Sequence, residues 1–113
     1  TPQGTELTRL TKKTSVTYIY IGRPTAELRK VYGNATRIQL NDKFISPSEV
    51  ADYVSAERNR MSPEDQEQMT VSIKADRGTR MGIISDVKQA LREAKAYRIN
   101  YSATDKRVNG AEK

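Results

Sequence analysis

Chemistry in this chain would have to come from carboxylates, amines and phenols. The sequence contains no histidine and no cysteine. That removes the commonest general base, the commonest zinc ligand, thiolate nucleophiles and any Ser-His-Asp triad. Asp76 follows an alternating segment, residues 70–75, and a carboxylate at the end of a core strand can serve an α/β active site. It has no acidic companion at useful spacing, so its expected role is to accept backbone N–H bonds in the turn that follows. Asp42 carries the same two readings, with the turn role favoured. Residues 77–82, Arg-Gly-Thr-Arg-Met-Gly, join a strand to a helix, where anion loops occur. They match neither GxGxxG nor GxxxxGK[ST], and the glycines read as serving the turn and close packing. Glu64, Asp65 and Glu67 lack the ligand spacing and glycine of a calcium loop and read as a solvated acidic segment. No catalytic, metal or cofactor-binding residue is expected.

Six tyrosines and one phenylalanine supply the aromatic rings. Tyr18 and Tyr20 fall on one face of a strand, as rings that stack on nucleic-acid bases do. The RNP1 pattern is missing, and ordinary packing is the expected use.

The elements that must hold these residues follow from periodicity. Residues 16–21 are β-branched and aromatic, with Thr17, Ile19 and Ile21 on one face and Val16, Tyr18 and Tyr20 on the other. Residues 23–35 form a long polar loop with a short helical turn at 26–31. A second strand spans 38–40 and ends at the turn-favouring Asn41-Asp42. Ser46, Pro47 and Glu49 have the types of an N-cap, N1 and capping-box partner, so a helix should run from there to about Met61. Residues 63–68 make an acidic loop or a single helical turn. Val71, Ile73 and Ala75 alternate toward a core. Ile83, Ile84, Val87, Ala90, Leu91 and Ala94 line one stripe of a helix over 81–94. A last strand, 98–102, turns Ile99 and Tyr101 inward. A right-handed crossover makes the last two strands parallel. The predicted fold is α+β: a two-layer sandwich of one mixed β-sheet with two helices packed on one face.

At 113 residues, with 35% hydrophobic and 30% charged residues and a mean hydropathy of -0.78, the chain suits one domain with an economical core. The expected division is a linker at 1–14, a domain at 15–103 and a flexible tail at 104–113. The net charge of +6 suggests a polyanionic partner. The cations are scattered, and residues 46–70 form an acidic block, so the expected role of the charge is a solvated surface. No stretch approaches the ~18–20 apolar residues of a membrane span. The chain begins Thr-Pro and reads as a fragment or processed product.

Residues 70–103, TVSIKADRGTRMGIISDVKQALREAKAYRINYSA, resemble the periplasmic domain of the ExbD/TolR biopolymer-transport family, in the form found in ExbD-like proteins of Bacteroidetes. The pattern is a strand ending in Ala-Asp, a short turn, a helix with a Val-x-x-Ala-Leu stripe and a short strand. Residues 38–50, IQLNDKFISPSEV, are similar to the family's strand, turn and capped first helix. The resemblance covers residues 16–103. It departs from the family in three places. Residues 23–35 exceed the usual short hairpin, Met81 stands where an aromatic is common, and Ala94-Lys95-Ala96 lacks the glycine that often ends the second helix.

The resemblance implies a single-pass inner-membrane protein with this domain in the periplasm. Such a protein is a homodimer. It works with an ExbB-like proton-channel subunit and couples proton-motive force to a TonB-like protein that drives outer-membrane transport. The family's proton-carrying Asp lies in the membrane helix, and no position here matches it. The domain is then a non-enzymatic output module. The expected place for a twin or a TonB-like peptide to pair is the last strand: Arg98, Ile99, Asn100, Tyr101 and Ser102. A TolR-like envelope-integrity module that contacts peptidoglycan is the alternative within the family. A basic nucleic-acid-binding α+β domain is the alternative from another class, although no nucleic acid is the expected partner. Contact with a membrane is expected only through the absent N-terminal helix.

Overall fold

β-Branched and aromatic residues make Val16–Gly22 the first strand, β1. The structure, a computed structural model, describes residues 16–41 and 43–105. The expected lead-in at 1–14, Asp42 and residues 106–113 of the expected tail lie outside those residues. A short helix α1 (Ala26–Tyr32) follows β1 and has no buried residue. Next come β2 (Arg37–Leu40) and β3 (Lys43–Ile45). Leu40 faces Lys43 across this hairpin, and Asn41 takes φ 56° in the connection. Asn tolerates that left-handed conformation better than most residues, and two-residue hairpin loops demand it.

Glu49 Oε1 accepts from the backbone N–H of Ser46 at 2.8 Å, so one arm of the expected capping box is made. The first turn there, Pro47–Glu49, is 3₁₀ and leads into α2 (Val50–Asn59). Ser62-Pro63, expected to stop this helix, also starts another. Ser62 Oγ accepts from the Asp65 N–H at 3.2 Å, and Pro63–Gln68 forms α3. Gln66 Nε2 donates to the Arg58 carbonyl at 2.9 Å, tying α3 to the open C-terminal end of α2. The chain then runs through β4 (Thr70–Asp76), α4 (Met81–Glu93) and β5 (Arg98–Thr104).

The five strands form one mixed sheet in the order β3-β2-β1-β4-β5. β1 is antiparallel to β2 and parallel to β4, and β4 is parallel to β5. This is the expected α+β two-layer arrangement. Ile19, Ile21, Ile38, Leu40, Val71, Ile73 and Ala75 are buried on one face of the sheet and join one cluster with Val50 and Val54 of α2 and with Ile84, Val87 and Leu91 of α4. The 3.6-residue period of α4 puts Ile84, Val87 and Leu91 on one stripe.

The structure adds to the expected elements. β3 has no counterpart among the expected strands, because three residues are too few to show a period of two. The helical turn expected at 26–31 is present as α1. The final strand reaches Thr104, two residues beyond the expected Ser102. The glycine missing after the second helix is replaced by Lys95, which adopts φ 66°. The Ala96 N–H donates to the Leu91 carbonyl and the Lys95 N–H to the Arg92 carbonyl, the two bonds of a Schellman motif. A lysine thus stands where glycine would carry no steric cost.

Candidate functional site

The two ends of the sheet differ in what they offer. β5 is a seven-residue edge strand that is exposed or half-exposed along its whole length. One ladder joins it to β4, from the Thr70–Arg98 pair to the Asp76–Thr104 pair. Along the other edge, backbone N–H and C=O groups on alternate residues face outward, a ready template for another strand. Arg98 is the only charged side chain in β5, and the strand contains no proline.

The five expected site residues fall on both sides of this strand. Ile99 and Tyr101 lie in register with Val71 and Ile73 and so share the helix-facing side. They face the helix layer as expected: Ile99 packs against the core, and Tyr101 stays at its margin. Ile99 is half-buried and Tyr101 is 43% exposed, whereas Val71 and Ile73 are fully buried. The physical reason is position: burial falls away at the outermost strand. Lys88 of α4 reaches over the Tyr101 ring, its Nζ 5.6 Å from the centroid. A strand added here would cover that apolar margin and continue the hydrogen-bond ladder. Arg98, Asn100 and Ser102 lie on the opposite, helix-free side, and Arg98 Nε donates to the Glu67 carbonyl at 3.2 Å.

At the other end, β3 has three residues and both its faces are dressed. Lys43 Nζ lies 5.6 Å from the Tyr53 ring on the helix side. Phe44, on the helix-free side, meets the edge of the Tyr32 ring at 4.8 Å between centroids. Arg37 stacks over both rings and donates from Nη2 to the Tyr32 carbonyl at 2.8 Å. This clamp holds the end of α1 over the β3 corner of the sheet. Spacing within the chain gives no hint of it, because it joins three segments.

The helix-free face of the sheet carries a row that crosses all five strands: Phe44, Gln39, Tyr20, Lys74 and Ser102. Tyr18, Ser72 and Asn100 form a second row beside it. The Tyr18 and Tyr20 rings are 6.4 Å apart and 20° from parallel. β2 pairs with β1 only from Ile19 to Gly22. A cavity of about 490 Å³ opens in the notch left beside Val16, Thr17 and Tyr18, walled also by Tyr20, Asn41 and Glu57.

The carboxylates weighed for chemistry are not brought together. Asp76 ends β4 opposite Thr104, and its carbonyl accepts from the Thr79 N–H at 2.9 Å in the turn that follows. Glu64, Asp65 and Glu67 lie on α3, so of the two expected forms, loop or helical turn, the helical one is present. No metal-holding cluster of acidic side chains occurs among the described residues. Gly78 and Gly82 do not serve close packing as expected. A Cβ added at either meets nothing within 4 Å, and neither needs a positive φ. No described helix is long and apolar enough to cross a membrane. No family model, curated protein or solved structure matches the chain.

Proposed function

We propose that residues 15–103 are the periplasmic output domain of an inner-membrane energy-transduction protein of the ExbD/TolR kind, which couples proton-motive force to TonB-dependent outer-membrane transport. The domain works without catalysis. It dimerises and pairs with a strand of a TonB-like partner along β5, while an ExbB-like channel subunit acts on the membrane-anchored part of the parent protein. The observation that carries this reading is the inequality of the sheet's edges: β5 is long, nearly uncharged and uncovered, with a half-exposed apolar margin at Ile99 and Tyr101. The β4–α4–β5 unit also follows the strand, turn, helix, strand pattern on which the resemblance rests.

The test is a titration of isotope-labelled domain with the periplasmic C-terminal domain of a TonB-like protein, followed by amide NMR. The reading predicts shifts concentrated in Arg98–Thr104 and the facing residues of β4. Shifts confined to β3 and α1, or no shifts at millimolar partner, would contradict it.

A further inference from the structure

The fold sorts charges that the linear sequence leaves scattered. Residues 46–69 and 80–95, which make up the helical layer and its caps, hold eight carboxylates and six cations. The other side of the sheet has the opposite balance. Arg37, Lys74 and Arg98 stand on the helix-free face by their register. α1, clamped to that face through Tyr32 and Phe44, adds Arg29 and Lys30. The carboxylates on this side are Glu27 of α1 and Asp76 at the end of β4. The molecule therefore has one basic side and one acidic side.

We propose that the side of the sheet opposite α2 and α4, with α1 at its corner, seats the domain on an anionic lipid surface. The inference rests on the proposed reading, which already puts the domain beside a bilayer, and adds a membrane contact that does not depend on any N-terminal anchor. Charge complementarity is the first argument. Cations gathered on one side are drawn to anionic headgroups, and carboxylates gathered on the other are repelled, so the field orients the domain with α2 and α4 turned away. The second argument is the arrangement. The cations spread over the breadth of the sheet from β2 to β5 and onto α1, which suits a plane of headgroups better than the single phosphate track of a nucleic-acid strand. The third is the chemistry between them. Tyr18, 46% exposed, and the half-buried Tyr20 have apolar rings with polar tips, which suit the headgroup level. Exposed Asn100 and Ser102 supply donors for phosphate and glycerol oxygens. The exposed apolar side chains on this side, Tyr18 and, on α1, Val31 and Tyr32, add a shallow contact to one that is chiefly electrostatic and reversible.

The test compares two double variants with the same loss of charge. K74Q/R98Q removes two cations from the sheet face, and K88Q/R92Q removes two from α4. Each is checked for native circular dichroism, then sedimented with vesicles of phosphatidylglycerol mixed into phosphatidylcholine at low salt. The parent domain is expected to bind these vesicles, to release them as salt rises, and to ignore pure phosphatidylcholine. K74Q/R98Q is expected to weaken binding roughly thirtyfold, from the worth of a basic residue at an anionic surface, and K88Q/R92Q less than threefold. Equal losses in the two variants, binding to neutral vesicles, or no binding would overturn the proposal. So would a preference for a single-stranded oligonucleotide over the vesicles, which would assign the tyrosines to base stacking. Arg98 also belongs to β5, so strand pairing is read separately, from the partner titration of the parent domain with Arg98 intact, and absence of vesicle binding leaves that reading standing.

Discussion

The two outer strands of this sheet solve the same physical problem in opposite ways. An edge strand presents unpaired backbone groups, and proteins that must not aggregate shorten, charge or cover their edges. β3 shows all three devices. It has three residues, begins with Lys43, and is overlaid by the Tyr32–Arg37–Phe44 clamp. β5 is far less protected: it has seven residues and one charge, Arg98 at its very start, and no cover on its outer side among the described residues. A chain that protects one edge and leaves the other bare, over a helix layer that covers Tyr101 only in part, has an edge suited to use.

The comparison breaks most sharply with proline. Adjacent residues of β5 point their N–H groups to opposite sides, so Asn100→Pro and Tyr101→Pro should behave differently. The variant that loses its bond to β4 should be destabilised by about 3 kcal/mol in urea unfolding. The other should unfold near the parent's midpoint yet lose association in sedimentation. Similar behaviour from both would mean the outer edge has no pairing role.

A charge placed on β5 should imitate the protection of β3. Tyr101→Lys is expected to weaken association at least tenfold while changing monomer stability by only about 0.5 kcal/mol, as a surface substitution does. The β3 side can be loosened separately. Arg37→Ala removes a hydrogen bond and two ring contacts, worth about 1–2 kcal/mol together. Amide exchange in Ala26–Tyr32 should accelerate about tenfold with β5 unchanged.

The smallest effects separate stability from recognition. Lys95→Gly relieves a left-handed residue at the entry to β5 and should raise stability by about 1 kcal/mol. Gly82→Ala, in the first turn of α4 with open space around the new Cβ, should add about 0.8 kcal/mol. Thermal melts check both, and neither should alter association.

What could be read from the sequence was whatever repeats locally. The stripe of α4, the alternation of Val71, Ile73 and Ala75, and the Ser46–Glu49 cap each lie within a few residues, and together they dictated two helices on one face of a mixed sheet. The strand at Arg98–Ser102 was also legible, though not its continuation, since Ala103 and Thr104 have no strand signature. β3 is too short to have a period. α3 is polar all round, so its amphipathicity was silent, and the sequence left loop and single helical turn both open at 63–68. The half-exposure of Tyr101 depends on how far α4 reaches across the sheet. The sorting of cations and carboxylates to opposite sides depends on strand order. Both are properties of assembly and not of any segment.

The central claim, that β5 and not β3 is the pairing edge, is most directly tested by a cysteine scan, made clean by the absence of native cysteine. Single cysteines at positions 98, 100 and 102 of β5 and at 43 and 44 of β3 would be oxidised in cells producing the full chain. Disulfides form only where Cα atoms approach within about 7 Å. The account predicts a cross-linked dimer from the β5 set, strongest at one position beside a two-fold axis, and monomer from the β3 set. Cross-links at 43 or 44, with none at 98, 100 or 102, would contradict it.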